Sequence, residues 1–152
     1  MDNLSEERRS WTMSRIRSRD TRPEMVVRRF LFSHGFRYRI AVKTLYGKPD
    51  IVLKKYRTVI FIHGCFWQGH SCLKGRLPKT HEEFWRRKFE RNKDRDADVR
   101  QKLKASGWNT LVVWECQLKP SVREKTLNEI VFWLNEAYLT QVRTTKKEQK
   151  KQ

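Results

Sequence analysis

The sequence predicts a small α/β domain in which a mixed central sheet is flanked by helices. A chain of 152 residues with 38% hydrophobic residues is sized for one domain with one modest core. Two short and nearly all-apolar runs, within 58–65 and 108–116, are typical of central strands covered on both faces. Together with the amphipathic segments around them, these runs give the order helix, three strands, helix, strand, helix along the chain.

The first half of the chain contains one helix and three strand segments. Thr21-Arg-Pro-Glu24 is a capping box that opens a helix, and Gly35 ends it. Apolar and polar side chains alternate over 36–42, which predicts a strand. Segments 50–56 and 58–65 are further strands, and their short basic junction predicts a hairpin.

The second half contains two helices around a buried strand. A second capping box at 80–83 predicts a long polar helix that ends near Ser106. The strand at 108–116 follows, and residues 126–129 open a last helix that reaches about Leu139. We divide the chain into an N-terminal arm (1–20), a domain (21–140) and a basic tail (141–152) that we expect to be disordered.

The net charge of +18 predicts a polyanionic partner, either nucleic acid or an anionic membrane. No apolar run approaches the roughly 20 residues of a spanning helix, and the first residues lack a signal-peptide core. We therefore expect a cytoplasmic protein. Three cysteines, an odd number, argue against a closed disulfide framework.

A cluster of cysteine and histidine residues is the first candidate site. Cys65, His70 and Cys72 lie within eight residues, and Cys116 ends the second buried run. If the two buried strands are parallel neighbours, both Cys65 and Cys116 emerge at one edge of the sheet, where four such ligands suit a structural zinc. Buried cysteines are also ordinary small core residues, and the spacing alone leaves both readings open.

A second candidate site joins Asp50 to His63. Asp50 starts one strand segment and His63 lies near the end of the next. A carboxylate facing a polar group in this way can hold Mg²⁺ in a phosphodiesterase. Alternatively, Asp50 is an ordinary turn residue and His63 a hydrogen-bonded core histidine. Glu24, which could add a further carboxylate, is equally explained as the second half of its capping box.

Aromatic and basic residues form a third group, suited to phosphate contacts and to wedging between base pairs. Phe66 and Trp67 lie in a glycine-containing loop, so we expect at least one to project outward. Phe84 and Phe89 on the long helix are expected to be core residues. The remaining members are Met13, Trp85 and the helix cations Arg86, Arg87, Lys88, Arg91, Lys93 and Arg95.

Several motifs match one known family in order and spacing: RSWTMSRIRSRDTRPE (9–24), GKPDIVL (47–53), VIFIHGCFW (59–67), HSC (70–72), EFWRRKFERN (83–92), DRD (94–96) and GWNTLVVWEC (107–116). On these motifs the chain from about Arg9 to Leu139 closely resembles the very-short-patch repair (Vsr-type) DNA mismatch endonucleases. The resemblance implies a restriction-endonuclease-like three-layer fold with a structural zinc site.

The resemblance also implies an activity and its partners. The expected reaction is a Mg²⁺-dependent nick on the 5′ side of the T in a T:G mismatch, which arises when 5-methylcytosine deaminates. The expected substrate is double-stranded DNA with that mismatch, and the functional partner is a cytosine-5 DNA methylase. A mismatch-repair protein is a further candidate partner. The implied protein is a monomer in the bacterial cytoplasm, associated with the nucleoid.

The family's catalytic residues carry over by position. Asp50 would be the magnesium carboxylate, and the backbone carbonyl of Ile62 another magnesium ligand. His63 would lie beside the scissile phosphate, with Glu24 orienting a water or an imidazole. Gln68 stands where the family usually has a catalytic histidine, and a glutamine can orient a water but cannot accept a proton at neutral pH.

The remaining roles concern zinc and DNA. Cys65, His70, Cys72 and Cys116 match the family's structural zinc ligands. Phe66, Trp67 and Trp85 match the family's major-groove wedge. Met13 matches its minor-groove intercalator. Lys88 and Asn92 match the contacts that its long helix makes near the mismatch. Two other functions stay open, a mismatch-binding protein whose catalysis is weak or lost through Gln68, and a restriction-type nuclease on matched DNA.

Overall fold

The computed structural model describes residues 20–65, 70, 72 and 77–150. These ranges contain three α-helices: α1 (Arg22–Ser33), α2 (Glu82–Ala105) and α3 (Arg123–Lys150). They also contain three strands: β1 (Ile51–Leu53), β2 (Thr58–His63) and β3 (Asn109–Trp114). The predictions for Met13, Phe66, Trp67 and Gln68, and for most of the N-terminal arm, lie outside the described residues.

The sheet has the order β1-β2-β3 and is mixed, as predicted. β1 and β2 form the predicted antiparallel hairpin, joined by a 3₁₀ turn at Lys54–Tyr56. β2 and β3 are parallel, with Thr58 opposite Asn109 and His63 opposite Trp114. The start of β1 therefore lies at the same edge of the sheet as the ends of β2 and β3.

Helices cover both faces of this sheet, which makes the domain three-layered. On one face, Ile60 and the buried side of β1 pack with α1 and α3 through residues such as Leu31 and Leu134. On the other face, Val59 and Phe61 pack with Leu103 of α2. The alternation of Val59, Ile60 and Phe61 between faces follows from the two-residue period of a strand. The predicted α/β architecture is confirmed.

The first predicted strand is wrong as an element. Within 36–42 one bridge forms, between Arg39 and Val52. Ala41 has a φ of +55°, which interrupts an extended strand soon after the bridge. β1 is itself only three residues long, so it offers little backbone to a further strand.

The first predicted capping box is formed in part, and the second is absent. The Thr21 hydroxyl accepts from the Glu24 N–H at 3.5 Å, whereas the Glu24 carboxylate accepts from the Asp20 N–H instead of the Thr21 N–H. At α2 the cap is His81, with a left-handed φ of +56° and no side-chain capping bond. Thr80 therefore lies one residue outside the helix start.

The last helix is longer than predicted at both ends. It starts at Arg123, and the Thr126 hydroxyl donates back to the Val122 carbonyl inside the helix rather than capping it. It continues to Lys150, so residues 141–150 of the predicted disordered tail are helical. This segment contains neither glycine nor proline, and lysine, glutamate and glutamine favour helices.

Phe89 is buried, as predicted, but Phe84 is exposed on α2 and its assignment to the core is wrong. Phe84 lies in the first turn of α2, and its ring meets that of the neighbouring Trp85 edge-on. In the described ranges, no helix combines the length and apolar composition needed to cross a membrane.

Candidate active site and metal centre

Just before β1, the Asp50 side chain accepts a hydrogen bond from β2 in place of a backbone carbonyl. Its N–H donates to the Ile60 carbonyl at 3.1 Å, continuing the β1–β2 ladder. Its Oδ2 then accepts from the Ile62 N–H at 2.7 Å. Because the side chain completes the ladder, the carboxylate is fixed at the edge of the sheet and half-buried. This places Ile62 directly against Asp50, while its role as a carbonyl ligand stays a prediction.

Glu24 joins Asp50 from the first turn of α1. Glu24 is 3% exposed and forms an ion pair with Arg28 at 2.8 Å. Burial raises the pKa of Asp50 to about 6, with further increases from the charge of Glu24 and a hydrogen bond to it, while the Ile62 N–H acts in the opposite direction. Two carboxyl groups are thus crowded in a partly desolvated place, which is a common arrangement for binding a cation.

His63 ends β2 on the same edge. Its Nδ1 lies 3.8 Å from Asp96 Oδ2 of α2 and has no hydrogen bond to another described residue. The ring meets Trp114 edge-on, with centroids 5.2 Å apart. Burial lowers the pKa of His63, which favours the neutral imidazole that can accept a proton.

Asp96 is a functional candidate that received no role from the sequence. It belongs to the DRD motif (94–96), which was recognised only as part of the family match. A carboxylate beside a histidine ring can orient the ring and stabilise its protonated form. The distance in the fold, and not the spacing in the chain, identifies Asp96 as the neighbour of His63.

The cysteine and histidine residues come together as predicted. The candidate ligand atoms of Cys65, His70, Cys72 and Cys116 all lie within 4.8 Å of one another. The parallel register explains this, since Cys65 and Cys116 each follow by two residues the paired positions His63 and Trp114. The cluster is therefore arranged to hold one metal ion, with the chemistry of three thiolates and one imidazole.

Contacts within the cluster fix its shape. The Cys116 N–H donates to Cys65 Sγ at 3.4 Å, and the His70 N–H donates to the Cys65 carbonyl at 3.0 Å. Burial raises the pKa of the Cys65 thiol to about 12 in the metal-free protein. Thiolates bind metal, so a bound cation would have to supply the charge that makes this buried thiol ionise.

Trp114 connects the metal cluster to the reactive edge. The His70 ring stacks on it with centroids 4.0 Å apart and planes at 15°, and His63 meets it edge-on. An ordered His70 thus supports the tryptophan against which His63 rests. Trp114 therefore contacts both a candidate metal ligand and the candidate catalytic histidine.

One face of α2 leads from His63 towards the start of the helix. Asp96, Asn92, Lys88 and Trp85 follow one another at steps of three or four residues, so they share that face. The Lys88 ammonium lies 5.4 Å from the centre of the Trp85 ring. At 1.5 Å per residue, the face extends about 16 Å from Asp96 to Trp85. The predicted DNA contacts of α2 are therefore aligned with the candidate active site.

Comparison with known proteins agrees with this geometry. The family model described as DNA mismatch endonuclease Vsr matches residues 1–74. The type II nicking enzyme V.NmeAIP of Neisseria meningitidis is 47% identical over 137 residues, covering 90% of this chain and 98% of that protein. The type II nicking enzyme V.XorIIP of Xanthomonas oryzae is 49% identical over 117 residues, covering 77% and 86%.

A third relative is a mismatch endonuclease by name. The DNA mismatch endonuclease Vsr of Escherichia coli is 41% identical over 121 residues, covering 80% of this chain and 76% of that protein. The matches to V.NmeAIP and Vsr, together with the carboxylate edge and the cysteine cluster, lead to one conclusion. The chain belongs to the Vsr family of DNA endonucleases, which have a restriction-endonuclease-like fold.

Proposed function

We propose that this DNA endonuclease is Mg²⁺-dependent and nicks one strand on the 5′ side of the T in a T:G mismatch, the step that starts very-short-patch repair. The observation that carries the proposal is that Asp50, with Glu24 hydrogen-bonded to it, and His63 lie at the same edge of the sheet. The α2 face with Lys88 and Asn92 ends at this edge, so a bound duplex can reach it. The mismatch specificity rests on the sequence resemblance and on the name of the E. coli relative.

The residues at this edge fit a magnesium ion. Asp50 supplies an oxygen ligand of the kind that Mg²⁺ prefers, and its raised pKa reflects burial together with the nearby charge of Glu24. Magnesium bound to Asp50, and to the Ile62 carbonyl, would polarise the scissile phosphate.

Each side chain at the edge has its own task. Asp50 is held by the Ile62 N–H and would bind the magnesium ion. Glu24 orients the attacking water next to Asp50. His63 is neutral because burial lowers its pKa, so it can exchange a proton with the reacting phosphate or water while Asp96 orients its ring.

Zinc is the metal we propose for the cluster of Cys65, His70, Cys72 and Cys116. Three sulfurs and one imidazole form a closed four-ligand set, which is typical of structural zinc sites. The role is to hold the chain between Cys65 and the start of α2 beside the active site. Phe66 and Trp67 lie in that stretch of sequence, and we propose that they and Trp85 enter the duplex as a wedge.

The remaining contacts complete the proposed DNA complex. Met13 of the N-terminal arm would intercalate from the minor groove, and Lys88 and Asn92 would contact the strand near the mismatch. The functional partner is a cytosine-5 methylase whose product deaminates to the T:G mismatch. A single nick requires one active site, so the proposed working form is a monomer in the bacterial cytoplasm, close to the nucleoid.

A nicking assay tests the function. Zinc-loaded protein is incubated with Mg²⁺ and end-labelled duplexes that carry one T:G mismatch in varied flanking sequences. We expect a single cut on the 5′ side of the T in the T-containing strand. The matched duplexes, T:A and C:G, are the controls and should remain intact.

The other functions predict other results. A restriction-type nuclease would cut the matched duplexes as readily as the mismatched one. A mismatch-binding protein without catalysis would shift the T:G duplex in a gel and leave both strands intact at every enzyme concentration. Either result contradicts the proposal.

Changing Gln68 to histidine should raise the nicking rate. Loss of a general base typically costs about 10²–10⁴ in rate, so restoring an imidazole should recover part of a deficit of that size. Single-turnover rates of the wild type and Gln68→His on the T:G duplex measure this, with Gln68→Asn as the control for a change of side chain without a base. Equal rates for all three proteins would show that position 68 does not limit catalysis.

A further inference from the structure

Arg28 is a buried cation that has no role in the function described above. It lies on α1 one turn after Glu24 and is 5% exposed. Long charged side chains are rarely buried unless they are paired. Arg28 has two such partners: Nη2 donates to Glu24 Oε2 at 2.8 Å, and Nη1 donates to Asp20 Oδ1 at 2.5 Å.

Glu24 is held through one of its two oxygens. Oε2 accepts from Arg28 Nη2 and also from the Asp20 N–H at 3.1 Å. Two donors on the same oxygen, from different directions, restrict rotation of the carboxylate. The same carboxyl group is hydrogen-bonded to Asp50, so its orientation decides what Asp50 faces.

Arg28 also acts on the charge of the site. Its positive charge lowers the pKa of Asp50, against burial and the negative charge of Glu24, which both raise it. Two carboxylates at close range repel each other, and a neighbouring guanidinium reduces that repulsion before any metal binds. The arginine thus favours the ionised form of Asp50.

We infer that Arg28 is a positioning residue of the active site: by holding Oε2 of Glu24, it fixes the carboxyl group that is hydrogen-bonded to Asp50 and keeps the pair of carboxylates ready for one divalent cation. The inference rests on the proposed function of Asp50 and Glu24. It extends that function to a residue that neither touches the substrate nor binds the metal. An ordinary i,i+4 ion pair within a helix is the competing explanation, and it predicts an effect on stability alone.

A double-mutant cycle separates the two explanations. The variants are Arg28→Met, Glu24→Gln and the double variant, and Arg29→Met is the matched control because Arg29 is the exposed neighbour on the same helix. Two quantities are measured: the single-turnover nicking rate on the T:G duplex, and the affinity for Mn²⁺ in the absence of DNA, by calorimetry. Binding to the T:G duplex in EDTA reports whether the DNA surface is intact.

Arg28→Met should lower the nicking rate and weaken Mn²⁺ binding, each by about 10–100-fold, which is the usual effect of losing a residue that supports a metal ligand. In the Glu24→Gln background the same change should cause no further loss, because Arg28 acts through Glu24. DNA binding in EDTA should stay unchanged in every variant. Arg29→Met should match the wild type in Mn²⁺ affinity.

Three results would each overturn the inference. The first two are a Mn²⁺ affinity of Arg28→Met equal to that of the wild type, or equal to that of Arg29→Met. The third is that Arg28→Met lowers the nicking rate and Mn²⁺ affinity by its full factor even when Glu24 is already glutamine. If Arg28→Met does not fold, the nicking rates and Mn²⁺ affinities of Arg28→Lys and of the double variant test the inference instead. The double variant removes both charges of the buried Arg28–Glu24 pair, and Arg28→Lys keeps a cation without the planar pair of donors.

The proposed function can fail separately. A wild-type protein that binds Mn²⁺ but nicks no T:G duplex would contradict the proposed function. In that case the Mn²⁺ affinities of the four variants still decide whether Arg28 positions the carboxylates.

Discussion

Replacing Asp50 by asparagine should reduce nicking of a T:G duplex by roughly 10³-fold or more. A bound metal contributes several kcal/mol of charge stabilisation in the transition state, and about 4 kcal/mol corresponds to roughly 10³ in rate. In the wild type the Ile62 N–H donates a hydrogen bond to Asp50 Oδ2 at 2.7 Å. Asparagine keeps an oxygen that can accept this hydrogen bond, so the sheet edge should keep its shape. Single-turnover rates at saturating enzyme measure the effect.

The fold should survive this change. Burial and the charge of Glu24 raise the pKa of Asp50 to about 6, so the ionised carboxylate is unfavourable in the metal-free protein. A neutral asparagine removes that unfavourable charge, and Tm should equal or exceed the wild-type value. DNA affinity in EDTA should also be unchanged.

Asp98→Asn is the matched control. Asp98 lies on α2 and pairs with Lys102 at 3.0 Å, with both side chains more than half exposed. Exposed pairs contribute about 0–1 kcal/mol, so neither Tm nor the nicking rate should change appreciably. If Asp50→Asn nicks as fast as Asp98→Asn, Asp50 is not the magnesium carboxylate.

The second large effect should follow from loss of the proposed zinc. Elemental analysis of the purified protein should give one zinc per chain, and removing it with a strong chelator should lower Tm by about 10 °C or more. Structural zinc contributes on the order of 10 kcal/mol in small zinc-binding peptides, and each kcal/mol shifts Tm by about 2–4 °C in a domain of this size. Adding zinc back should restore Tm.

A pair of histidine variants locates the metal. His70→Ala removes one ligand from the cluster, so zinc content and Tm should both fall. His34→Ala is the control, because His34 is exposed at the end of α1, where its ring is hydrogen-bonded to Ser33 and Phe30 and stacks on the Phe30 ring, away from the cysteines. Stoichiometric zinc with an unchanged Tm in His70→Ala would exclude the proposed ligand set.

The zinc experiment also tests the link to catalysis. The His70 ring stacks on Trp114, and Trp114 contacts His63. Metal-free protein that remains folded should therefore nick more slowly than zinc-loaded protein at the same Mg²⁺ concentration. Full activity without zinc would show that the cluster supports stability alone.

Local patterns predicted the central elements and the metal cluster well. The apolar runs that became β2 and β3 are short and rich in β-branched residues, which favour strands, and the basic junction after β1 indicated the hairpin. The cysteine cluster could be anticipated because both end cysteines follow buried strands, and parallel pairing brings such positions to one edge.

Predictions failed where a pattern depended on its surroundings. The alternating segment 36–42 had the composition of a strand, but β1 offers it one bridge and Ala41 turns away. Phe84 had the side chain of a core residue, but on α2 it is 55% exposed. Thr80 matched a capping box, yet the left-handed backbone of His81 displaced it from the cap.

The sequence by itself determined the chemistry of this protein: a basic chain with a carboxylate before a buried strand, a histidine at the end of the next, and three cysteines with a histidine. Only the tertiary structure decided which groups act together. Asp96 reaches His63 from another layer, and Arg28 is buried against Glu24 beside Asp50. Such contacts depend on how helices pack on the sheet, and packing joins residues that no spacing along the chain relates.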